Sequence, residues 1–500
     1  MSALPPKRRL ARGAALSLLA GTAVTAASVF PASVQATVMA ARAKQTWHPR
    51  SGLTLTAVRY ADGPVEIRVL EFSPKPKKSG YTVEPGINGP VITSHATPSS
   101  IAASVGAVAA INGDFALDGQ PAHFNAVDGD IRTSGIINGT GFAVSKDEKF
   151  AFADRADPVI SAEASDHSAF RIDHWNGDDR DGPGGPVLGE ITAYTKEGGT
   201  KQSPDVDTCS VRLINPTGRR WSNDGKTALS RTWNVGQKVC QHDPLAIGSE
   251  PGNVVLNARQ TGVGADVLKG LPVNGTVTIS WRLAGWPGVI DAVGGQPVVV
   301  DKGVNVGPPP TTGSSYFYKP NPRTALGVTQ GCTDQDIGTV CRVIYMVVDG
   351  RNAGWSVGMT LKALGDEMLK FGAYYAINID GGGGTSMWLS NKGPWCITDT
   401  NGGCLVDRPA DGAERATLTA MLVLQGRDVN EPPIGTASRT TSTVWNDGFG
   451  LPNDDSADWE QLSLTDPGST GGLLDALAEE GELPTGLRPF LQVYRQEPAA

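Results

Sequence analysis

The sequence contains no HExxH and no GxSxG, and its six histidines are scattered. It therefore lacks both a zinc-hydrolase helix and the strained turn of a serine triad. None of its six cysteines falls in a CxxC, so a zinc ribbon or a thioredoxin-type redox pair is poorly supported. Charged residues make up only 19% of the chain and aromatics 6%, a mix that argues against a helical bundle, a coiled coil or a disordered chain. Basic residues are not in excess, since the net charge is −8, which argues against a nucleic-acid binder. Beyond the first 30 residues no stretch is apolar enough to cross a membrane.

What the chain has is glycine and proline. Gly 62 and Pro 35 of 500 residues make about a fifth, against an average near 12%, as suits many turns and short strands. The length implies two or three units, or one large domain with appendages. The charge is uneven. Lys7, Arg8, Arg9 and Arg12 precede an uncharged Ala/Leu/Val run at 13–30 and the small-residue pattern Val34-Gln35-Ala36, which reads as a secretory signal peptide over 1–36. Residues 427–500 hold four basic and thirteen acidic residues and read as an acidic, mostly disordered tail, with a short helix conceivable at 473–477. The acidity thus belongs to the tail and says little about a substrate.

Export makes the even cysteine count a disulfide framework. Of fifteen connectivities, pairs close in sequence close the smallest loops: Cys209–Cys240, Cys332–Cys341 and Cys396–Cys404.

Residues 44–150 carry strand and turn signals with one short helix, which begins at Thr97-Pro98-Ser99. Residues 150–260 are polar and Gly-rich with weak periodicity. Within them, residues 176–185 (NGDDRDGPGG) invite a calcium reading, but Gly177 and Leu188 stand where an EF-hand needs its first Asp and last Glu, so a solvated turn is expected. From 273 to 426 strand and helix signals return. Residues 106–112 (GAVAAIN) match 372–378 (GAYYAIN), an internal pseudo-repeat that carries Asn112 onto Asn378 and Asp114 onto Asp380. The second copy lies in a strand–helix–strand pattern. A buried-strand run at 343–348 (VIYMVV) precedes a helical face made by Leu361, Leu364, Met368 and Phe371. Gly372 ends the helix, and a strand follows. If the two strands are parallel, Asp349 and Asp380 share one rim, ~4.8 Å apart as neighbours or about 10 Å with a strand between. Asp114 should reach the same rim. The expected fold class is α+β: mixed β-sheets with a few helices, the pseudo-repeat, and a strand–helix–strand unit carrying the DGGGG loop.

That loop is Asp380-Gly381-Gly382-Gly383-Gly384-Thr385-Ser386. Four glycines allow positive φ and close approach to a ligand, and successive N–H groups with the Thr385 and Ser386 hydroxyls could form an anion nest. Arg351, in Asp349-Gly350-Arg351, and Arg323, in Asn321-Pro322-Arg323, suit an anionic oxygen ligand. Trp355, Trp388 and Trp395 flank these motifs and could stack on sugars or belong to the core. Two carboxylates suit glycosyl or phosphoester chemistry, one as acid and one as base or nucleophile. A phosphate leaving group would be stabilised by arginines.

The sequence resembles the phosphodiester glycosidase family. The resemblance rests on Ala110-Ile111-Asn112-Gly113-Asp114-Phe115, Asn321-Pro322-Arg323-Thr324-Ala325 and Val348-Asp349-Gly350-Arg351. It continues through Asn378-Ile379-Asp380-Gly381-Gly382-Gly383 and Arg408-Pro409 with Glu414-Arg415. Together these cover about residues 90–426, within a family-like domain over 44–426 in which 150–260 is a poorly matched insert. The family often has Gly at Asp114, Phe at Ala116 and Ser at Gly384. The resemblance implies an exported hydrolase that cleaves the glycosidic bond of a sugar-1-phosphodiester, for example in an N-acetylglucosamine-1-phospho-linked glycopolymer. It implies no organic cofactor and no metal. Asp349, Asp380 and Asp114 would be catalytic. Asn112, Arg323, Arg351, Asn378, Gly381, Gly382, Gly383, Gly384, Thr385 and Ser386 would bind substrate. The partner would be the sugar-phosphate polymer, outside the cell or at its wall, with no nucleic acid and no membrane after signal cleavage. The alternatives are a metal-dependent phosphodiesterase cutting P–O and a non-catalytic wall-polymer binding protein.

Overall fold

The computed structural model describes residues 41–425, apart from 61–63, 75–79, 118, 138–139, 146–149, 154–157, 178–186, 200–205, 218–221, 224–228, 243, 285, 287, 311–317 and 334–339. The expected signal peptide, the acidic tail and most of the 176–185 turn lie outside the described residues.

The sheet that carries the site has eight strands. Their order is Ala41–Arg50, Leu53–Tyr60, Val65–Phe72, Val343–Val348, Arg323–Val328, Tyr375–Ile379, Val298–Asp301 and Val304–Asn305, each antiparallel to its neighbour. The VIYMVV run is buried at every position, because both of its faces are covered. Val343, Tyr345 and Val347 point into one core with Leu55, Leu70, Ile111, Met387 and Met421. Their period of two puts Ile344, Met346 and Val348 on the opposite face. The first face meets a six-stranded sheet that contains Ala109–Asn112, Met387–Leu389, Gly403–Leu405, Thr419–Gln425 and Tyr81–Ile87.

The helix expected from the Leu361, Leu364 and Met368 spacing is Leu361–Lys370, capped at Thr360, whose hydroxyl accepts the Ala363 N–H. All three side chains are fully buried. Gly327 opposite has no room for a Cβ beside Met368, so helix and sheet approach closely. Phe371 serves as the C-cap, and Gly372 takes φ +82°. The helix Pro98–Ser104 is capped by Thr97, whose side chain accepts the Ser100 N–H, and Gly106 takes φ +71°. Both copies of the GAxxAIN stretch thus leave a helix through a left-handed glycine and enter a strand, but in different sheets.

Residues 158–259 differ from their reading, while the strand Thr276–Leu283 falls where strand signals were expected. Where weak periodicity was expected, a nine-stranded sheet stands, including Pro158–Ala164, Thr208–Ile214, Leu229–Gln241, Val254–Arg259 and Thr276–Leu283. Its inward positions are often small. Ile160, Ala162 and Ala164 alternate with the outward Ser161 and Glu163, which mutes the hydrophobic signal. Trp233 and Trp281 fill the centre of its core. The three short-range cystine pairs are all present, and Cys209 sits directly opposite Cys240 in paired strands. No helix among the described residues is long and apolar enough to cross a membrane.

Candidate active site

Strand direction sets the rim. Val343–Val348 and Tyr375–Ile379 run the same way on either side of Arg323–Val328, which runs against both. Val348 pairs with Arg323, and Ile379 with Thr324. Asp349, Arg323 and Asp380 therefore stand along one sheet edge, with the two aspartate backbones about 10 Å apart, two strand spacings. This is the arrangement expected with one strand between.

The facing sheet closes the rim behind Asp380. The Asp380 N–H donates to Gly113 O at 3.1 Å, and Asn112 Nδ2 donates to Asp380 O at 2.7 Å. Asn112 Oδ1 accepts from Thr324 Oγ1 at 2.7 Å and from the Ser386 N–H at 3.2 Å. Asn112 thus ties three chain segments together. Asn378 donates to Gln296 O at 2.8 Å, while its Oδ1 is buried without a protein partner.

The Asp380 carboxyl is buried, and its Oδ1 has no protein partner. Burial pushes its pKa well above the usual carboxylate range. Arg415, the Gly381 N–H and Arg351 oppose that rise, and Asp114 adds to it. Asp349 is equally buried but fully bonded. Its Oδ2 accepts Trp355 Nε1–H at 2.6 Å and its Oδ1 accepts the Arg408 N–H at 3.1 Å. Burial raises its pKa to about 6 against the pull of Trp355, Arg68 and the Arg408 N–H. The Trp355 ring in turn has two guanidinium groups near it, Arg408 at 3.7 Å and Arg59 at 5.3 Å from its centroid. Trp388 belongs to the core, and Trp395 packs edge-on against Trp47.

Asp114 is held by three donors. Its Oδ1 lies 2.7 Å from His123 Nδ1 and accepts the Phe115 N–H, while Oδ2 accepts the His123 N–H, both at 2.8 Å. Gly294 leaves no space for a Cβ against His123, and Gly295 none against the Asn378 carbonyl and the Ile379 side chain. Asp114 and His123 therefore form a buried pair behind the strand that ends at Asp380.

The DGGGG loop needs its glycines mostly for space. Only Gly382 takes a positive φ, +60°. A Cβ at Gly381 would collide with Pro322 O, at Gly383 with the Arg415 and Asp411 side chains, and at Gly384 with the Asp380 carboxyl. The N–H groups of Gly382, Gly384, Thr385 and Ser386 are bonded to Pro322 O, Gly381 O, Gly382 O and Asn112 Oδ1. The expected anion nest is corrected to that extent, since these four donors are engaged within the protein. Ser386 Oγ donates to Glu414 Oε1 at 3.3 Å, whereas Thr385 Oγ1 is buried with no protein partner. Glu414 also accepts from the Ser99 N–H and hydroxyl at the start of the Pro98–Ser104 helix.

Arg323 is buried and donates to Met359 O at 3.0 Å and Lys319 O at 2.9 Å. Burial and the Arg351 charge lower its pKa to about 9. Arg351 is exposed, has φ +57°, and lies against Gly382. Arg415 binds Asp411, with Nη2 and Nε 2.5 and 2.8 Å from Oδ2. Arg351 thus lies against Gly382 and Arg415 against Gly383, while Arg323 is buried in the strand that precedes them in the chain. Asp407, fully buried, was missed by sequence reasoning, although it directly precedes Arg408-Pro409. His123, nine residues beyond Asp114, had no signal.

Residues 236–424 match the model of the phosphodiester glycosidase family. The matched segment contains Arg323, Asp349, Arg351, Asn378, Asp380 and Asp407, while Asn112 and Asp114 precede it. Among solved structures, a hypothetical protein from Synechocystis is similar at 20% identity and TM-score 0.55, over 76% of this chain and 63% of that one. This likeness shows a shared fold, and the chain spans less than two thirds of the Synechocystis protein's length. A candidate exported protein of Burkholderia pseudomallei is similar at 18% identity and TM-score 0.49, over 72% and 74% of the two chains. The catalytic domain of zebrafish N-acetylglucosamine-1-phosphodiester alpha-N-acetylglucosaminidase is similar at 13% identity and TM-score 0.36, over 77% and 88%. No curated protein matches the chain. Among the described residues, no group of three or more His, Cys, Asp or Glu side chains is arranged to hold a metal.

Proposed function

We propose that this chain is an exported hydrolase that cleaves the glycosidic bond of a sugar-1-phosphodiester in an extracellular or wall glycopolymer. The observation that carries the reading is the pair of buried carboxyls, Asp349 and Asp380, at the ends of two same-direction strands that flank Arg323. Their environments differ as acid and base require. Asp380, kept protonated by burial, would deliver its proton to the leaving phosphate oxygen. Asp349, with two N–H donors, would stay charged at neutral pH and attack or stabilise the anomeric carbon. Arg351 and Arg415 would take the phosphate. Asn112 and Asn378 would hold the strand ends that aim Asp380. The family match over 236–424 supports this chemistry, and three disulfides support an oxidising compartment.

The test is hydrolysis of an α-N-acetylglucosamine-1-phosphodiester in oxygen-18 water by the chain with and without EDTA. Label in the sugar supports the proposal. Label in the phosphate means P–O cleavage and sinks it.

A further inference from the structure

Asp407 follows the strand Gly403–Leu405 and is 0% exposed. Its Oδ1 accepts the Met387 N–H at 2.8 Å, and its Oδ2 is buried without a protein partner. Asp349 is its neighbour and its opposite. Both Asp349 oxygens accept a hydrogen bond, and one of the donors is the N–H of Arg408, the residue next to Asp407. A single turn therefore joins the two carboxyls.

The surrounding charges are uneven. From Val65–Phe72, Arg68 and Glu66 face Asp349, with Arg68 itself bonded to Glu66 at 3.2 Å and Arg59 bonded to Glu66 at 3.1 Å. Asp407 is faced by Asp349 and by Glu414, both acids. Two carboxyls this close in a dry environment do not both ionise. The charge settles where the donors are, and the proton settles on the oxygen that lacks one.

We propose that Asp407 is a positioning residue that carries the proton of the pair, so that Asp349 carries its single negative charge at the rim. Burial and the Asp349 charge hold the Asp407 carboxyl well above the usual range, in keeping with the bonding. The catalytic meaning rests on the proposed role of Asp349, but the protonation state can be tested without turnover.

The experiment compares the full chain with Asp407→Asn from pH 4 to 8.5. Asparagine keeps an oxygen for the Met387 N–H and removes the titrating proton. A carboxyl with a raised folded-state pKa binds its proton more tightly folded than unfolded. Its contribution to stability therefore falls as pH rises from the unfolded value, about 3.9, towards the raised one. The variant is expected to match the wild type near pH 4 and to melt at least about 2–4 °C higher at pH 8. The Trp355 indole N–H, bonded to Asp349, reports that carboxyl by NMR, and is expected to titrate within about half a unit of wild type in the variant. A melting gap that is absent, constant or reversed with pH overturns the proposal. So does a downward shift of the Trp355 titration by about one unit or more, which would mean that Asp407 had been charged. Should the variant not fold, the wild-type Met387 amide decides, because it is bonded to Asp407. Its titration above pH 7 supports the proposal, and titration below pH 5 overturns it. With a working substrate, the acid limb of the pH profile, set by Asp349, should stay within about half a unit of wild type in Asp407→Asn, because asparagine is as neutral as the protonated carboxyl. A merely structural residue would shift the melting temperature by the same amount at every pH. If the wild type shows no turnover, the proposed function fails while the melting and NMR arms still decide the protonation.

Discussion

Asp349 and Asp380 end equivalent strands on either side of Arg323, yet they are held by different means. On the Asp349 side the carboxyl is gripped by hydrogen bonds, from the N–H of an indole whose ring two guanidinium groups approach and from the Arg408 backbone. On the Asp380 side it is confined by packing. Gly384, which has no room for a Cβ, packs against it, and one of its oxygens lacks a protein partner. Donors favour the charged form of a carboxyl, and desolvation favours the neutral one. One sheet edge can thus present a base and an acid made from the same residue type.

The largest effect should come from cancelling either carboxyl. Asp380→Asn and Asp349→Asn are each expected to lower kcat by about 10²–10⁴-fold, with unchanged circular dichroism. Near-normal turnover in both would remove the comparison altogether. The next change acts on one side only. Trp355→Phe deletes an N–H bonded to the charged Asp349, so the carboxyl becomes harder to ionise. At about 1.5 kcal/mol for such a bond, the acid limb of kcat/KM should move up by about one pH unit. Activity near pH 6 should fall several-fold while that at pH 8 changes little. A downward shift would mean that Trp355 is not a donor to the reacting carboxyl.

The Asp380 side is sharpened by Gly383→Ala. Its new methyl would collide with the Arg415–Asp411 ion pair, and the overpacking should cost about 1–3 kcal/mol. The melting temperature should fall, and the pH limb assigned to Asp349 should stay in place. Movement of that limb would show that the two sides are coupled through the loop rather than independent.

Much of this rim was legible in the residues, because its signals are local. The all-apolar 343–348 run, the 361–368 helical face, the glycine stop at 372 and the short-range cystines each follow from a handful of neighbours. What was not legible depends on distant pairing. No pattern shows that Arg323–Val328 slots antiparallel between two strands that follow it in the chain. The strands of 158–259 are muted in part because alanines such as Ala162, Ala164, Ala193 and Ala258 take inward positions. The loop glycines were read for backbone freedom, whereas Gly381 and Gly383 answer to a carbonyl and side chains brought in from elsewhere, and Gly384 to the Asp380 carboxyl of the loop itself. Asp407 carries no motif of its own. Its meaning comes only from lying beside Asp349 with one oxygen unbonded.

The smallest expected effect separates the two things that Arg408 does. Its backbone N–H donates to Asp349, and its guanidinium stacks on Trp355 at 3.7 Å. Arg408→Ala keeps the first and removes the second. A stacked guanidinium at an exposed position contributes about 0.5–1 kcal/mol, so kcat/KM should fall only about two- to fivefold. The Trp355 indole should gain mobility, visible as a lower fluorescence anisotropy, and the Asp349 limb should broaden upward by a fraction of a unit. A loss as large as that of Asp349→Asn would overturn this division, because the Arg408 side chain would then have to contact the substrate itself. Lysine at 408 would not restore the stack, since it lacks the planar group that covers the ring.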